Sequence, residues 1–209
     1  MAASTITGST LLLSEHVMKI SRVVVLALAL PLGLAAQQAP AASAANPITA
    51  VFKRNTLNFQ RNLAQAFDSI PESKFGYKPT PAQLSIGYIA QHLAEDNYFF
   101  CNEFGAMKAT VPAKDTSTPD SVKATWPKDT LVAKLKASFA FCESAINQVD
   151  DAKLSDEITM TYGGNSRKAP RASMVLGHVI DMADHYSQIA NYMRLNGMLP
   201  PTALPRKNM

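Results

Sequence analysis

The chain has 209 residues, 47% of them hydrophobic and 17% charged, with 20 Lys and Arg against 16 Asp and Glu. That composition excludes a disordered or collagen-like chain. Two Cys exclude a disulfide scaffold and a four-thiolate zinc site, and a thin positive excess without like-charge blocks argues against a nucleic-acid binder.

The first fifty residues do not read as a folded domain. Lys19 and Arg22 precede the apolar run from Val23 to Leu30, and Gly33, Ala35 and Ala36 follow it. A short basic region, an apolar stretch and a small-residue exit predict a secretory signal peptide over 18–44, cleaved after Ala36 or after Ala44. Residues 1–17 lack the basic start and read as an upstream extension, with Met18 the initiator. An uncleaved anchor is the alternative, although Pro31 breaks the run short of a comfortable span. The expectation is a secreted or periplasmic protein without membrane attachment after cleavage.

The remaining chain shows four amphipathic segments. Residues 47–69 carry Ile48, Val51, Phe52, Phe59, Leu63, Ala66 and Phe67 on one side, with Lys53, Arg54, Gln60 and Arg61 largely opposite. Pro71 ends the segment. A second helix is predicted from the N-cap Ser85 to Met107, with Ile86, Ile89, Leu93, Phe100 and Phe104 as its stripe. Residues 108–127 read as a long surface connection. The third helix runs 128–149 on Leu131, Leu135, Phe139, Cys142, Ile146 and Val149. Residues 150–169 read as irregular, with a turn at 163–165 and Glu157 to Tyr162 extended. The fourth helix spans 170–196 and ends on Asn196-Gly197, followed by Pro200-Pro201. The prediction is an all-α four-helix bundle over 45–201 with long connections, and a tail at 202–209.

The fourth helix carries ionisable groups where its stripe is apolar. Met174, Val175, His178, Met182, His185, Ile189 and Tyr192 form the inner face. At 100° per residue, Asp181 and His185 sit one turn apart with His178 on the same side. Buried ionisable groups need partners, and a divalent metal is one. His92 on the inner half of the second helix supplies a third donor. The alternative is that each His is a core residue bonded to a carboxylate. Cys101 and Cys142 are expected to pair as a disulfide; two inert thiols, or thiols in the metal shell, are the alternatives. Arg167, Lys168 and Arg171 form either a receiver for an anionic substrate group or a solvated basic loop.

Two segments resemble a known family. The stretch Gly87-Tyr88-Ile89-Ala90-Gln91-His92-Leu93-Ala94-Glu95-Asp96-Asn97-Tyr98-Phe99-Phe100-Cys101 is similar to the second helix of the DinB-like (DinB/YfiT) superfamily. The stretch from Asp184 to Pro201 resembles that family's closing motif, a Tyr-x-Arg-x-x-Gly-x-x-Pro-Pro exit. The resemblance implies a bundle with a three-residue metal site on His92, position 181 and His185. Position 181 is Asp where the family has His, so the ion implied is zinc, nickel, manganese or iron, held in part through oxygen. His178 is the substitute ligand. The family also implies metal-dependent thiol S-transferases using bacillithiol, mycothiol or glutathione, a maleylpyruvate isomerase, and pairing into homodimers. The function expected is therefore an exported metal-binding protein acting as a hydrolase or thiol S-transferase on a small molecule. The alternative is a non-catalytic ligand- or partner-binding bundle with a degenerate site.

Overall fold

The structure, a computed structural model, describes residues 45–162 and 164–205. The upstream extension, the predicted leader and residues 206–209 of the tail lie outside the described residues. Four long helices dominate: α1 (Pro47–Ser69), α2 (Ile86–Cys101), α5 (Lys128–Ile146) and α6 (Arg171–Leu195). Between α2 and α5 lie two short helices, α3 (Ala113–Ser117) and α4 (Asp120–Lys123). The predicted all-α bundle is the observed one.

Local signals set the helix ends. The Ser85 hydroxyl accepts from the Tyr88 N–H at 3.2 Å, capping α2. At the far end of α6, Gly197 adopts a left-handed φ of 71°. There Met198 N–H donates to Met193 O at 2.9 Å and Gly197 N–H to Arg194 O at 3.0 Å, the paired bonds of a Schellman stop.

Cross-helix contacts give the topology. Asn97 bonds Ser138 at 2.8 Å, Cys101 is joined to Cys142, and Ala106 bonds Gln148 at 3.0 Å, so α2 and α5 run parallel. His92 meets His185 while Phe104 meets His178, so α6 is antiparallel to α2. Gln60 reaches Phe139 while Asp68 pairs with Lys136, so α1 is antiparallel to α5. The order is up-down-down-up. A parallel pair needs a connection that returns along the bundle, and α2 alone is about 24 Å long at 1.5 Å per residue. That return trip is the reason for the long segment 102–127.

Several expectations need correction. The second helix stops at Cys101 rather than Met107, and the connection is not a bare loop but carries α3 and α4. Ile48 and Val51 are exposed, at 54% and 42%. The first turn of α1 is instead fixed by buried Thr49, whose N–H and hydroxyl both donate to Asp151 Oδ1 at 2.7 and 2.6 Å. Gln60, read as outward, is buried and donates to the Phe139 carbonyl at 3.3 Å. Residues 157–170 form an antiparallel hairpin, β1 (Glu157–Tyr162) and β2 (Asn165–Pro170). β2 buries only Ala169 among its side chains, so backbone pairing holds it, with no apolar alternation to announce it.

The third helix ends at Ile146 rather than 149; its six predicted inner residues, with Val149 just beyond that end, and the seven of α6 are all buried. They fill two apolar clusters. One, around Leu63, Ile89, Leu135 and Met182, occupies one half of the bundle. The other surrounds the Cys101–Cys142 disulfide with Phe104, Ile146 and Met174. Among the described residues no helix is long and apolar enough to cross a membrane.

Candidate metal centre

The crossing of α2 and α6 gathers four ionisable side chains. Each helix supplies an Asp and a His four residues apart, which places them one turn apart on one face. His92, Asp96, Asp181 and His185 each offer a donor atom, and these atoms all lie within 4.8 Å of one another. His92 Nε2 is 3.0 Å from Asp96 Oδ2, and His185 Nε2 is 3.5 Å from Asp181 Oδ1. The two imidazoles meet edge to face, with centroids 5.1 Å apart. The His92 side chain is 33% exposed and the His185 side chain only 7%, so the cluster opens to solvent on the α2 side.

The electrostatics follow from crowding two carboxylates and two imidazoles at a half-buried crossing. Burial, reinforced by the charge of Asp181, pushes the Asp96 carboxyl up to about 7. Burial and then the neighbouring His185 lower His92. His185 feels a burial penalty too, but the hydrogen bond and charge of Asp181 outweigh it and raise the group. With His92 lowered and Asp96 raised, the 3.0 Å His92–Asp96 contact holds less charge than a formed ion pair. Two atoms of the cluster, Asp181 Oδ2 and His185 Nδ1, are buried without a hydrogen-bond partner. A buried carboxylate oxygen left unsatisfied is costly, and a cation compensates it. The donor set of two imidazoles and two carboxylates suits a divalent first-row ion.

His92, Asp181 and His185, singled out in the sequence, come together here. His178 does not join them. It shares the face of His185 but lies seven residues away, about 10 Å along the axis. Its Nε2 sits 2.8 Å from Asn97 Oδ1 and 3.6 Å from Cys101 Sγ, inside the disulfide cluster. Its Nε2 is engaged in the core, not at the crossing. Asp96 is the residue that sequence reasoning missed. The signal was present, since His92 and Asp96 repeat in reverse order the four-residue spacing of Asp181 and His185.

The cysteines are bonded: Cys101 and Cys142 form a disulfide linking α2 to α5. The thiol alternatives for the metal shell are thereby set aside. Of the three basic residues just before and in the first turn of α6, Lys168 pairs with Glu157 at 2.6 Å. Arg171 pairs with Asp156 at 3.5 Å and donates to the Glu103 carbonyl at 2.7 Å. These two act as struts of the hairpin rather than as free cations.

With this geometry in view, the comparisons with known proteins are specific. The model of the DinB superfamily matches residues 57–189, which holds all four residues of the cluster. The chain belongs to the DinB superfamily. Among solved structures, a DinB-like protein from Bacillus cereus superposes with a TM-score of 0.55 at 15% identity, covering 72% of this chain and 93% of that one. A conserved protein from Enterococcus faecalis gives 0.52 at 17%, covering 71% and 96%. A mycothiol-dependent maleylpyruvate isomerase gives 0.54 at 14% identity, covering 68% of this chain but only 60% of the isomerase. At these identities the superpositions show the shared fold alone. No curated protein matches the chain.

Proposed function

We propose that this chain is an exported metal-binding DinB protein whose α2–α6 crossing holds one divalent ion and handles a small-molecule substrate at its open side. The observation that carries the reading is the unsatisfied pair, Asp181 Oδ2 and His185 Nδ1, in a cluster with His92 and Asp96. His92, Asp181 and His185 would hold the ion, and Asp96 completes a set of two nitrogens and two oxygens. Four protein donors saturate a tetrahedral zinc but leave two positions on a six-coordinate manganese, iron or nickel ion. We therefore favour the six-coordinate ions.

A divalent ion so placed would supply acidity to a coordinated water or thiol, the basis of hydrolase and thiol S-transferase chemistry. The chain's own residues do the rest. Without an ion, burial raises the Asp96 carboxyl to about 7, so taking up an ion through this carboxylate would release a proton near neutrality. Tyr88 lies one turn before His92, ring to ring at 6.0 Å, and forms a wall on that side. The likeness to the mycothiol-dependent isomerase brings a small thiol into consideration as the nucleophile.

Metal-stripped protein titrated calorimetrically with manganese, nickel and zinc tests the site. One ion per chain, weakened at least tenfold in Asp181→Ala, supports the reading; identical titrations in the two proteins contradict it. Export is tested by N-terminal sequencing of the protein recovered from the periplasm or medium. A chain beginning at Gln37 or Ala45 supports it, and a cytosolic chain beginning at Met1 contradicts it. A second reading, a non-catalytic bundle with a degenerate site, draws on one observation. His92–Asp96 and His185–Asp181 already satisfy each other in part without an ion. Indifference of stability to chelators and to added metal would favour it.

A further inference from the structure

A second site lies on another flank of α2, between α2, α5 and the returning segment that carries α3 and α4. It is a cavity of about 280 Å³ whose walls include Gln91, Ala94 and Tyr98 from α2, Val111 and Pro112 from the segment, and Trp126. Gln91 is 4% exposed, and neither its amide nitrogen nor its amide oxygen has a hydrogen-bond partner. The position faces α5 rather than α6, so it takes no part in the metal cluster.

A buried, wholly unsatisfied side-chain amide is uncommon and destabilising. An apolar side chain such as leucine or methionine would sit there without that penalty. The amide therefore points to a missing partner that supplies an acceptor and a donor side by side. The terminal torsion of glutamine is soft, so a small rotation turns both groups to the cavity it lines.

The other polar groups of the wall narrow the partner's charge. Lys123 is held by Glu95 and by Asp120, the latter at 2.9 Å, and Lys134 is held by Asp115. Both cations are engaged, and Lys134 also lies over the Trp126 ring, 5.2 Å from its centroid. The unmet hydrogen-bonding capacity of Gln91 is neutral, and apart from Thr110 the rest of the wall is apolar or aromatic. Size follows from comparison. A cavity of roughly 150 Å³ holds a benzene, so 280 Å³ suits a molecule of two fused rings.

The lid over the cavity is built to stay close. Gly87 lies where an added Cβ would stand 2.3 Å from the Ala124 carbonyl oxygen, so only glycine lets α4 sit this tightly on α2. Lys123, buried at 4% exposure, pins the same segment to Glu95.

We infer that this cavity is a binding site for a small, uncharged, planar bicyclic molecule with a lactam-like edge, read by the Gln91 amide and stacked near Trp126. The inference is independent of the metal reading. Its test uses oxindole, a bicyclic lactam, beside indane, which has the same shape without the polar edge. Trp126 is the single tryptophan of the chain, so its fluorescence reports occupancy directly, with calorimetry as a second readout. Oxindole is expected to give a saturable response in wild type and equally in His185→Ala. Gln91→Leu, expected to keep its helicity and melt higher, should weaken oxindole at least tenfold and leave indane unchanged. Ala94→Leu, which fills the cavity and keeps Gln91, should abolish the response. No saturable oxindole binding, indane binding as tight as oxindole, or retention of oxindole affinity by either variant overturns the proposal.

Discussion

His92 of α2 and His185 of α6 meet edge to face, their ring centroids 5.1 Å apart and their planes at 86°. Each imidazole has a carboxylate one turn away on its own helix, so the antiparallel crossing sets two Asp–His pairs against one another. Removing either imidazole breaks the set. His92→Ala is expected to lower divalent-metal affinity at least a hundredfold, measured by competition with a chromogenic chelator, while circular dichroism shows unchanged helicity. Unchanged affinity would remove His92 from the site.

Asp96 separates the four-donor site from a three-donor one. Asp96→Asn keeps the shape but withdraws the carboxylate. It is expected to weaken manganese at least tenfold more than it weakens zinc, because the six-coordinate ion loses a hard oxygen donor. Competition titrations with the two metals check this. No effect on either metal would confine the ion to His92, Asp181 and His185.

The Cys101–Cys142 bond closes a span of 41 residues, including the whole returning segment. In the chain-entropy model a loop of that length contributes about 4 kcal/mol. Cys101→Ala/Cys142→Ala is expected to lose that order of stability in guanidinium titrations while binding metal as tightly as wild type. Metal lost together with the disulfide would show that the two clusters are coupled.

His178 makes stability sensitive to acid. It is buried with no exposure, and burial, opposed only by the charge of Asp181, lowers it from 6.5 to about 4. The other groups packed on it, Asn97, Phe100, Phe104 and the Cys101 sulfur, carry no charge. Below pH 6.5 the unfolded chain takes up a proton that the folded chain refuses, so stability falls from there down to about pH 4. The loss is about 3 kcal/mol at 1.4 kcal/mol per unit. Denaturant titrations at pH 7.5 and 4.0 should show His178→Gln losing that much less than wild type between the two values. Equal losses would mean His178 is protonated in the fold.

Much of this was legible in the sequence because helix periodicity is local. The α5 stripe from Leu131 to Ile146, the Ser85 cap and the Gly197 stop are all decided within a turn or two of chain. The same locality brought out Asp181 and His185, ionisable groups on a stripe that is otherwise apolar. What depends on neighbours was not visible. Gln60 reads as surface until the Phe139 carbonyl is known to lie beside it, and Ile48 reads as core until Asp151 claims the first turn of α1. His178 and His185 share a helical face, and the axial distance that separates their roles matters only once α2 is placed. Asp96 carries a local signal, its place one turn after His92, but what makes it a site residue is Asp181 and His185, which come from the other end of the chain.

The central claim, an ion at the α2–α6 crossing, is tested most directly by elemental analysis of protein purified without an affinity tag, beside His185→Ala. About one divalent ion per chain in the wild type and none in the variant is the predicted result. An ion-free wild type, still empty after incubation with manganese, iron, nickel and zinc, would contradict it.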